Sequence, residues 1–289
     1  MLPVGSSSIV FTQSTAFAQS TVFAQSTVSA DTTLGAKQSI VDLTNSDGVK
    51  TYRITGGASR GANLFHSFDR FSLTADDTAI FANPTTIENI ISRVTGSAVS
   101  TIDGNLQAAG NANFFLLNPA GIVIGPNASL EIGGSFSAST GAAQFEDGTV
   151  YSSVVPEQPP ILTVSAPIGL PVETAAGSIT VTGQGTPTQA GITQTGLMLN
   201  PGQTLSLVGE EIELIGARLF TAGGRVELRS EGDIQLSNQS VIDVSGTGGG
   251  AIELRGRAIT LVERSALISD TLGDSDGLDI QIVGDRVSL

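Results

Sequence analysis

The chain contains no cysteine, no tryptophan and a single histidine, His66. Without cysteine there can be neither disulfides nor thiolate metal sites. A catalytic imidazole needs an orienting acid and a nucleophile. Asp69 is the nearest acid in sequence and Ser67 the adjacent hydroxyl, and this set reads as a structural histidine rather than a catalytic one. No run approaches the ~20 apolar residues of a membrane helix. Charged residues make up only 14% of the chain and hydrophobic ones 40%, the opposite of the signature of disorder. Basic residues are scarce as well, at 13 Lys and Arg against 27 Asp and Glu, for a net charge of −14. A polyanion repels nucleic acid and anionic lipid, so no nucleic-acid partner is expected, and the spread acidity serves solubility.

What is abundant is glycine, with 35 residues in 289. With few long helix-forming charged residues, that composition points to an all-β chain with many turns. Length alone would allow about two domains.

Residues 1–30 are repetitive. Ser14-Thr-Ala-Phe-Ala-Gln19 is followed by Ser20-Thr-Val-Phe-Ala-Gln25 and Ser26-Thr-Val-Ser-Ala-Asp31. Each hexad carries a small-x-small triplet ending at Ala18, Ala24 or Ala30, which resembles a signal-peptidase site. The first basic residue is only Lys37, so a basic start is missing. Residues 1–30 read as a signal-peptide remnant or a disordered leader outside the fold, and residues 31–289 as the folded domain.

Short alternating runs between turn residues follow, such as Val49-x-Thr51-x-Arg53-x-Thr55, Leu130-x-Ile132 and residues 114–117. These are strands by pattern. Residues 86–94 carry Ile87, Ile90, Ile91 and Val94 at helical spacing, yet Ile and Val favour strands, and a strand is the preferred reading. The C-terminal third repeats. Leu205-x-Leu207 recurs as Val226-x-Leu228, Ile252-x-Leu254 and Ile280-x-Ile282, while Ile212-x-Leu214 recurs as Ile234-x-Leu236, Ile259-x-Leu261 and Val287-x-Leu289. Leu219, Ile242-x-Val244 and Leu267 form a partial third ladder, and Ile179-x-Val181 reads as a copy of the first ladder one turn earlier. Ladders advancing together are what a parallel β-solenoid requires, with i and i+2 side chains stacked inside successive coils. The proline-rich residues 150–171 cannot form a central strand and read as an excursion from the coil. Residues 31–150 are the cap and motif region and residues 172–289 the coils. An uncapped final turn at Val287-x-Leu289 is expected to continue into further coils.

Residues 63–139 carry the most punctuation. Asn118-Pro119-Ala120-Gly121-Ile122 is a turn sequence: proline sets φ, glycine tolerates positive φ, and Asn118 can bond the backbone two residues on. Gly125-Pro126-Asn127 repeats that logic. Eight of the twelve phenylalanines fall between Phe65 and Phe145; core packing is the first reading, an exposed docking strip the second. Asp270, Asp274, Asp276 and Asp279 would suit a hard cation, but their spacing matches no calcium motif, so a solvated loop is expected and no metal or cofactor is assigned.

Several segments in one order resemble the N-terminal secretion domain of two-partner-secretion exoproteins, the haemagglutinin and adhesin group. They are Asn63-Leu-Phe-His-Ser-Phe68 with Phe71, Ile90-Ile-Ser-Arg-Val-Thr-Gly96, Ile102-Asp-Gly104 and residues 113–136. The family's Asn-Pro-Asn-Gly-Ile stands here as Asn-Pro-Ala-Gly-Ile, and its Asn-Pro-Asn-Leu element has only Asn83-Pro84-Thr85-Thr86 as a counterpart. The resemblance implies a right-handed, single-stranded parallel β-helix with an N-terminal cap and extra-helical β elements. It also implies a non-enzymatic domain that engages the periplasmic domains of an outer-membrane transporter and directs a secreted or cell-surface protein out through the periplasm and outer membrane. Recognition and folding nucleation would fall on Asn63, Leu64, Phe65, Phe68, Asn118, Pro119, Gly121, Ile122, Gly125, Pro126 and Asn127. Two alternatives stand beside it: an adhesin face for a cell-surface or glycan ligand, and a polysaccharide-lyase-type β-helix enzyme. The lyase reading is weakened because Arg218, Arg225, Arg229, Arg255, Arg257 and Arg264 have no evident partner set in sequence.

Overall fold

Aliphatic pairs at i and i+2, recurring every 21 to 28 residues, can be buried together only if each coil stacks on the one before it. The computed structural model, which describes residues 25–153, 162–183, 196–273 and 278–289, has this arrangement. It is a parallel β-solenoid with three faces, and its one helical element among the described residues is the 3-10 turn Val172–Thr174.

The first face has ten strands, eight of them parallel, one per coil: Asn63–Ser72, Asn89–Val94, Asn113–Leu117, Phe136–Ser139, Thr204–Gly209, Arg225–Ser230, Ala251–Arg255 and Ile280–Val283. The second face runs from Ser100–Ile102 through Ile122–Ile124, Ile179–Thr182, Ile212–Ile215, Asp233–Ser237 and Ala258–Leu261 to Arg286–Ser288. The third face is split. Thr78–Phe81, Asn105–Ala108 and Ser129–Glu131 form one sheet with an N-terminal hairpin, and Leu197–Met198, Arg218–Phe220, Val241–Asp243 and Ala266–Ile268 form another.

The ladders read from sequence are these faces. Leu205 pairs with Val226 and Val226 with Ile252; Ile212 pairs with Ile234 and Ile234 with Ile259. Ile179-x-Val181 is a correction. It pairs with Ile122 and Ile212 and belongs to the second face. The strand before Leu205 on the first face is Phe136–Ser139. The reason is the excursion, which leaves the coil after Ser139 and returns before Ile179, so the fourth coil is split and its spacing is stretched. Residues 89–94 form a strand with every residue buried, because the inner side faces the solenoid core and the outer side is also covered.

The N-terminal end is closed. Ser39–Ser46 and Val49–Gly56 make an antiparallel hairpin about Asp47 and Gly48, both at positive φ, as a two-residue turn matched to strand twist requires. Within the second strand Tyr52 and Ile54 point inward, not the Thr51, Arg53 and Thr55 of the alternation noticed in sequence. The outer edge of Asn63–Ser72 is covered by Ala58–Arg60 along one half and by Thr27–Ala30 along the other, both antiparallel. A bare sheet edge is a template for aggregation, and these two strands remove it. The expectation that residues 1–30 lie outside the fold is corrected here. Ser26 and Val28 are buried, and the Ser26 carbonyl accepts from Tyr52 Oη at 2.8 Å. The hexads before residue 25, with Ala18 and Ala24, lie outside the described residues.

Two cores result. The inner core runs the length of the solenoid and is aromatic at the capped end: Phe81 meets Phe114 edge to face at 4.7 Å, and Phe114 stacks on Phe136 at 6.3 Å. Each such buried ring contributes roughly 1.5–3 kcal/mol. The outer core lies on the outside of the first face. There Phe65, Ile91, Leu117 and Val208 are buried together with Leu34, Ala58, Ala143, Phe145, Tyr151 and Leu170. Its lid is the excursion, in which Ala143–Phe145 lies between Val150–Tyr151 and Pro167–Gly169 in a small antiparallel sheet. Pro167 is thereby on an edge strand, where a missing N–H is tolerated.

Candidate functional site

Asn63, Leu64, Phe65 and Phe68 open the first face in the first coil. Asn118-Pro119-Ala120-Gly121-Ile122 forms the corner between first and second faces in the third coil, and Gly125-Pro126-Asn127 the following corner. The residues are therefore not gathered into one patch. They mark the start of a face and two successive corners. Asn63, Leu64, Phe65, Phe68, Asn118 and Ile122 are all buried, Pro119 and Pro126 half-buried, and Asn127 exposed.

Asn118 is fully buried because it holds two coils together. Its Nδ2 donates to the Ala98 carbonyl at 3.0 Å and to Ser100 Oγ at 2.9 Å, and its Oδ1 accepts from Ala120 N–H at 3.0 Å. The turn closes with Gly121 N–H donating to the Asn118 carbonyl at 3.1 Å, and Gly121 has φ of +118°, a conformation that a side chain would strain. The next coil rests on this corner. A Cβ on Gly177 would stand 2.7 Å from the Pro119 carbonyl oxygen, so only glycine allows that approach. Ile122 N–H donates to the Ser178 carbonyl at 3.1 Å, and Thr140 Oγ1 to the Gly177 carbonyl at 2.7 Å. The corner is where the chain lands on returning from the excursion.

At the second corner Ala128 N–H donates to the Gly125 carbonyl at 3.2 Å. The Asp103 carboxylate accepts from Asn127 N–H at 2.8 Å and from Asn127 Nδ2 at 3.1 Å. Gly125 has no room for a side chain, since a Cβ would meet Asp103 Oδ1 at 2.1 Å.

Asn63 begins a ladder that sequence reading missed. Asn89 Nδ2 donates to Asn63 Oδ1 at 2.9 Å, Asn113 Nδ2 to Asn89 Oδ1 at 3.0 Å, and Asn113 Oδ1 accepts from Ser135 N–H at 3.0 Å. Asn63 Nδ2 turns the other way, to the carbonyls of Thr163 and Ser165 at 3.1 and 2.7 Å, and so ties the excursion to the first coil. The steps of 26 and 24 residues match the coil length and were the available signal.

The phenylalanines are core residues: Phe65, Phe68, Phe71, Phe81, Phe114, Phe136 and Phe145 are all buried. His66 is buried against Phe68 and Phe81. Ser39 Oγ accepts from Ser67 N–H at 3.1 Å and is hydrogen-bonded with His66 Nδ1 at 3.0 Å. Burial depresses the imidazole to about 3. Among the described residues no carboxylate pairs with the ring, so no nucleophile–base–acid set is completed there. Asp31, under the excursion, is lowered: burial raises it, and hydrogen bonds from Thr95, Thr33 and Ser67 outweigh that.

The solenoid arginines are a further correction. On the outer side of the first face Arg225 pairs with Glu227 and Glu253, Arg229 with Glu227, and Arg255 with Glu253; on the second face Arg257 pairs with Asp233. Arg225–Glu253 and Arg257–Asp233 join adjacent coils, at separations that a linear scan does not join, whereas the other pairs lie two residues apart on one strand. These exposed pairs contribute little stability individually. Among the described residues no group of three or more His, Cys, Asp or Glu side chains is placed to hold a metal ion. Of the acidic loop, Asp274 and Asp276 lie outside the described residues.

These features define a capped parallel β-solenoid with an extra-helical lid, whose distinctive residues build corners and core. The chain belongs to the TPS (two-partner secretion) secretion domain family, whose model matches residues 26–265. That match begins one residue before the sealing strand Thr27–Ala30. Domains of this family belong to exported proteins and serve secretion. Among solved structures, the filamentous hemagglutinin secretion domain is similar at 14% identity, with 89% of this chain and 99% of that one covered and a TM-score of 0.45. The HMW1 secretion domain from Haemophilus influenzae is similar at 16% identity, with 85% and 73% covered and a TM-score of 0.43. No curated protein sequence is detectably similar to the chain.

Proposed function

We propose that the domain addresses a large exoprotein to the periplasmic domains of its cognate outer-membrane transporter while unfolded, and that it nucleates β-helix folding once outside. The observation that carries this reading is burial. Asn63, Leu64, Phe65, Phe68, Asn118 and Ile122 are inaccessible in the folded solenoid, so a partner that reads them reads the chain before it folds. Family membership supports a secretion role, and the lack of cysteine keeps the threaded chain free of cross-links. The closed N-terminal end supports nucleation, because a sealed first coil offers only one growing edge.

Asn118→Asp tests the address. It keeps the acceptor for Ala120 N–H and loses the two donated bonds, and the purified variant is first checked for a native circular-dichroism spectrum. Reduced secretion and weaker binding to the transporter's periplasmic domains are expected. A folded variant with wild-type secretion and wild-type binding removes Asn118 from the address.

A further inference from the structure

The outer core joins three parts of the chain that are far apart in sequence, and its centre is Arg93. This guanidinium is fully buried, yet among the described residues no carboxylate pairs with it. Nε donates to Ser67 Oγ at 3.0 Å, in the first coil. One terminal nitrogen donates to Thr33 Oγ1 at 2.8 Å, in the N-terminal segment, and the other to the Ser152 carbonyl at 2.7 Å, in the excursion. Tyr151 lies against the guanidinium, 4.6 Å from carbon to ring centroid, and donates its hydroxyl to the His66 carbonyl at 2.9 Å. The balancing charge is one bond further out. Thr33 Oγ1 and Ser67 Oγ each donate at 2.8 Å to Asp31, which also accepts from Thr95 Oγ1 at 2.5 Å.

A buried charge is tolerated only when its hydrogen bonds are complete. Arg93 is complete only when residues 31–33, the first two coils and residues 151–152 are all in place. The same excursion covers Phe65, Ile91, Leu117 and Val208, which stand on the outer side of coils one, two, three and five. Beyond the fifth coil the outer positions are Glu227, Arg229, Glu253 and Arg255, which need no lid.

We infer that the folding nucleus is this three-segment junction, with Arg93 as its positioning residue. The first five coils then form one cooperative unit, which cannot lock until the excursion is available, and coils six onward add to it one at a time. This rests on the reading that the domain nucleates folding, and it changes the order. Coil one does not template coil two alone; the first lasting structure forms after the excursion and Thr204–Gly209 of coil five have left the transporter.

The test is refolding of the full chain from urea, followed by stopped-flow, which needs no transporter and so stands apart from the address. Thr33→Val removes one hydroxyl partner in the N-terminal segment, Tyr151→Phe one hydroxyl in the excursion, and Ile242→Val is the control in coil six. The expected result is refolding slowed several-fold by Thr33→Val and Tyr151→Phe, with the effect of Ile242→Val confined to unfolding. Refolding slowed by Ile242→Val, or junction variants that change only the unfolding rate, would overturn the inference. Should Thr33→Val fail to refold, Tyr151→Phe decides, since the ring and its packing remain.

Discussion

His66 illustrates how a single side chain sets a pH dependence. Its ring is neutral in the fold down to about 3, against 6.5 in the unfolded chain. The unfolded state therefore takes up a proton that the folded state refuses. The stability due to the neutral ring is whole above pH 6.5 and declines as pH falls from 6.5 towards 3, by up to about 1.4 kcal/mol per unit. Asp31 and Asp77 are both lowered; burial raises each, and their hydrogen bonds outweigh it. Their contribution is lost only below the ordinary carboxylate range, so the two windows are separable. Urea unfolding at pH 7 and pH 4.5 should show a loss of roughly 2–3 kcal/mol in the native chain that is largely absent from His66→Gln. Equal losses in both would remove the histidine from the account. Asn118→Ala belongs to the same scale. It leaves Ala120 N–H and the Ala98 carbonyl without the side-chain partner each now has, and about 1–3 kcal/mol of stability should be lost in chemical denaturation.

Among the elements, the strand Thr27–Ala30 has the clearest expected consequence. A chain begun at Asp31 lacks it, bares half of the first-face edge and leaves Tyr52 Oη without the Ser26 carbonyl. A lower melting temperature and concentration-dependent association in analytical ultracentrifugation are expected; a monomer of unchanged stability contradicts the sealing role. The strand was hidden in sequence because Thr27-Val-Ser-Ala30 reads as one more hexad of a repetitive leader. The ladders, by contrast, were legible from Leu205 onward, where every coil repeats the same inward pair and little is inserted. Upstream, the inward column of Leu64, Ile90, Phe114, Phe136 and Leu205 is equally regular in space, but it mixes residue types, and the excursion separates its last two members. The outer core was not legible at all. Phe65, Ile91 and Leu117 stand at positions that alternation assigns to solvent, and only the excursion makes them interior. Of the candidate site, the turn chemistry of Asn118 and Gly121 was readable, whereas their stacking on Ser100 and Gly177 needed the coil register.

Taken as a whole, the molecule is a capped, lidded block of five coils followed by a plainer stack. Hydrogen exchange should show the first-face strands of coils one to five opening together, and the strands of coils six and seven opening separately and at lower cost. Uniform protection along the stack contradicts that division. The block also bears on secretion, because its formation hides Asn63, Leu64, Phe65, Phe68, Asn118 and Ile122 of the address. Titration of the transporter's periplasmic domains with the chain in two states, folded and freshly diluted from denaturant, tests this most directly. The account predicts binding by the unfolded chain that disappears as the solenoid forms. Binding of equal strength by the folded solenoid would contradict it.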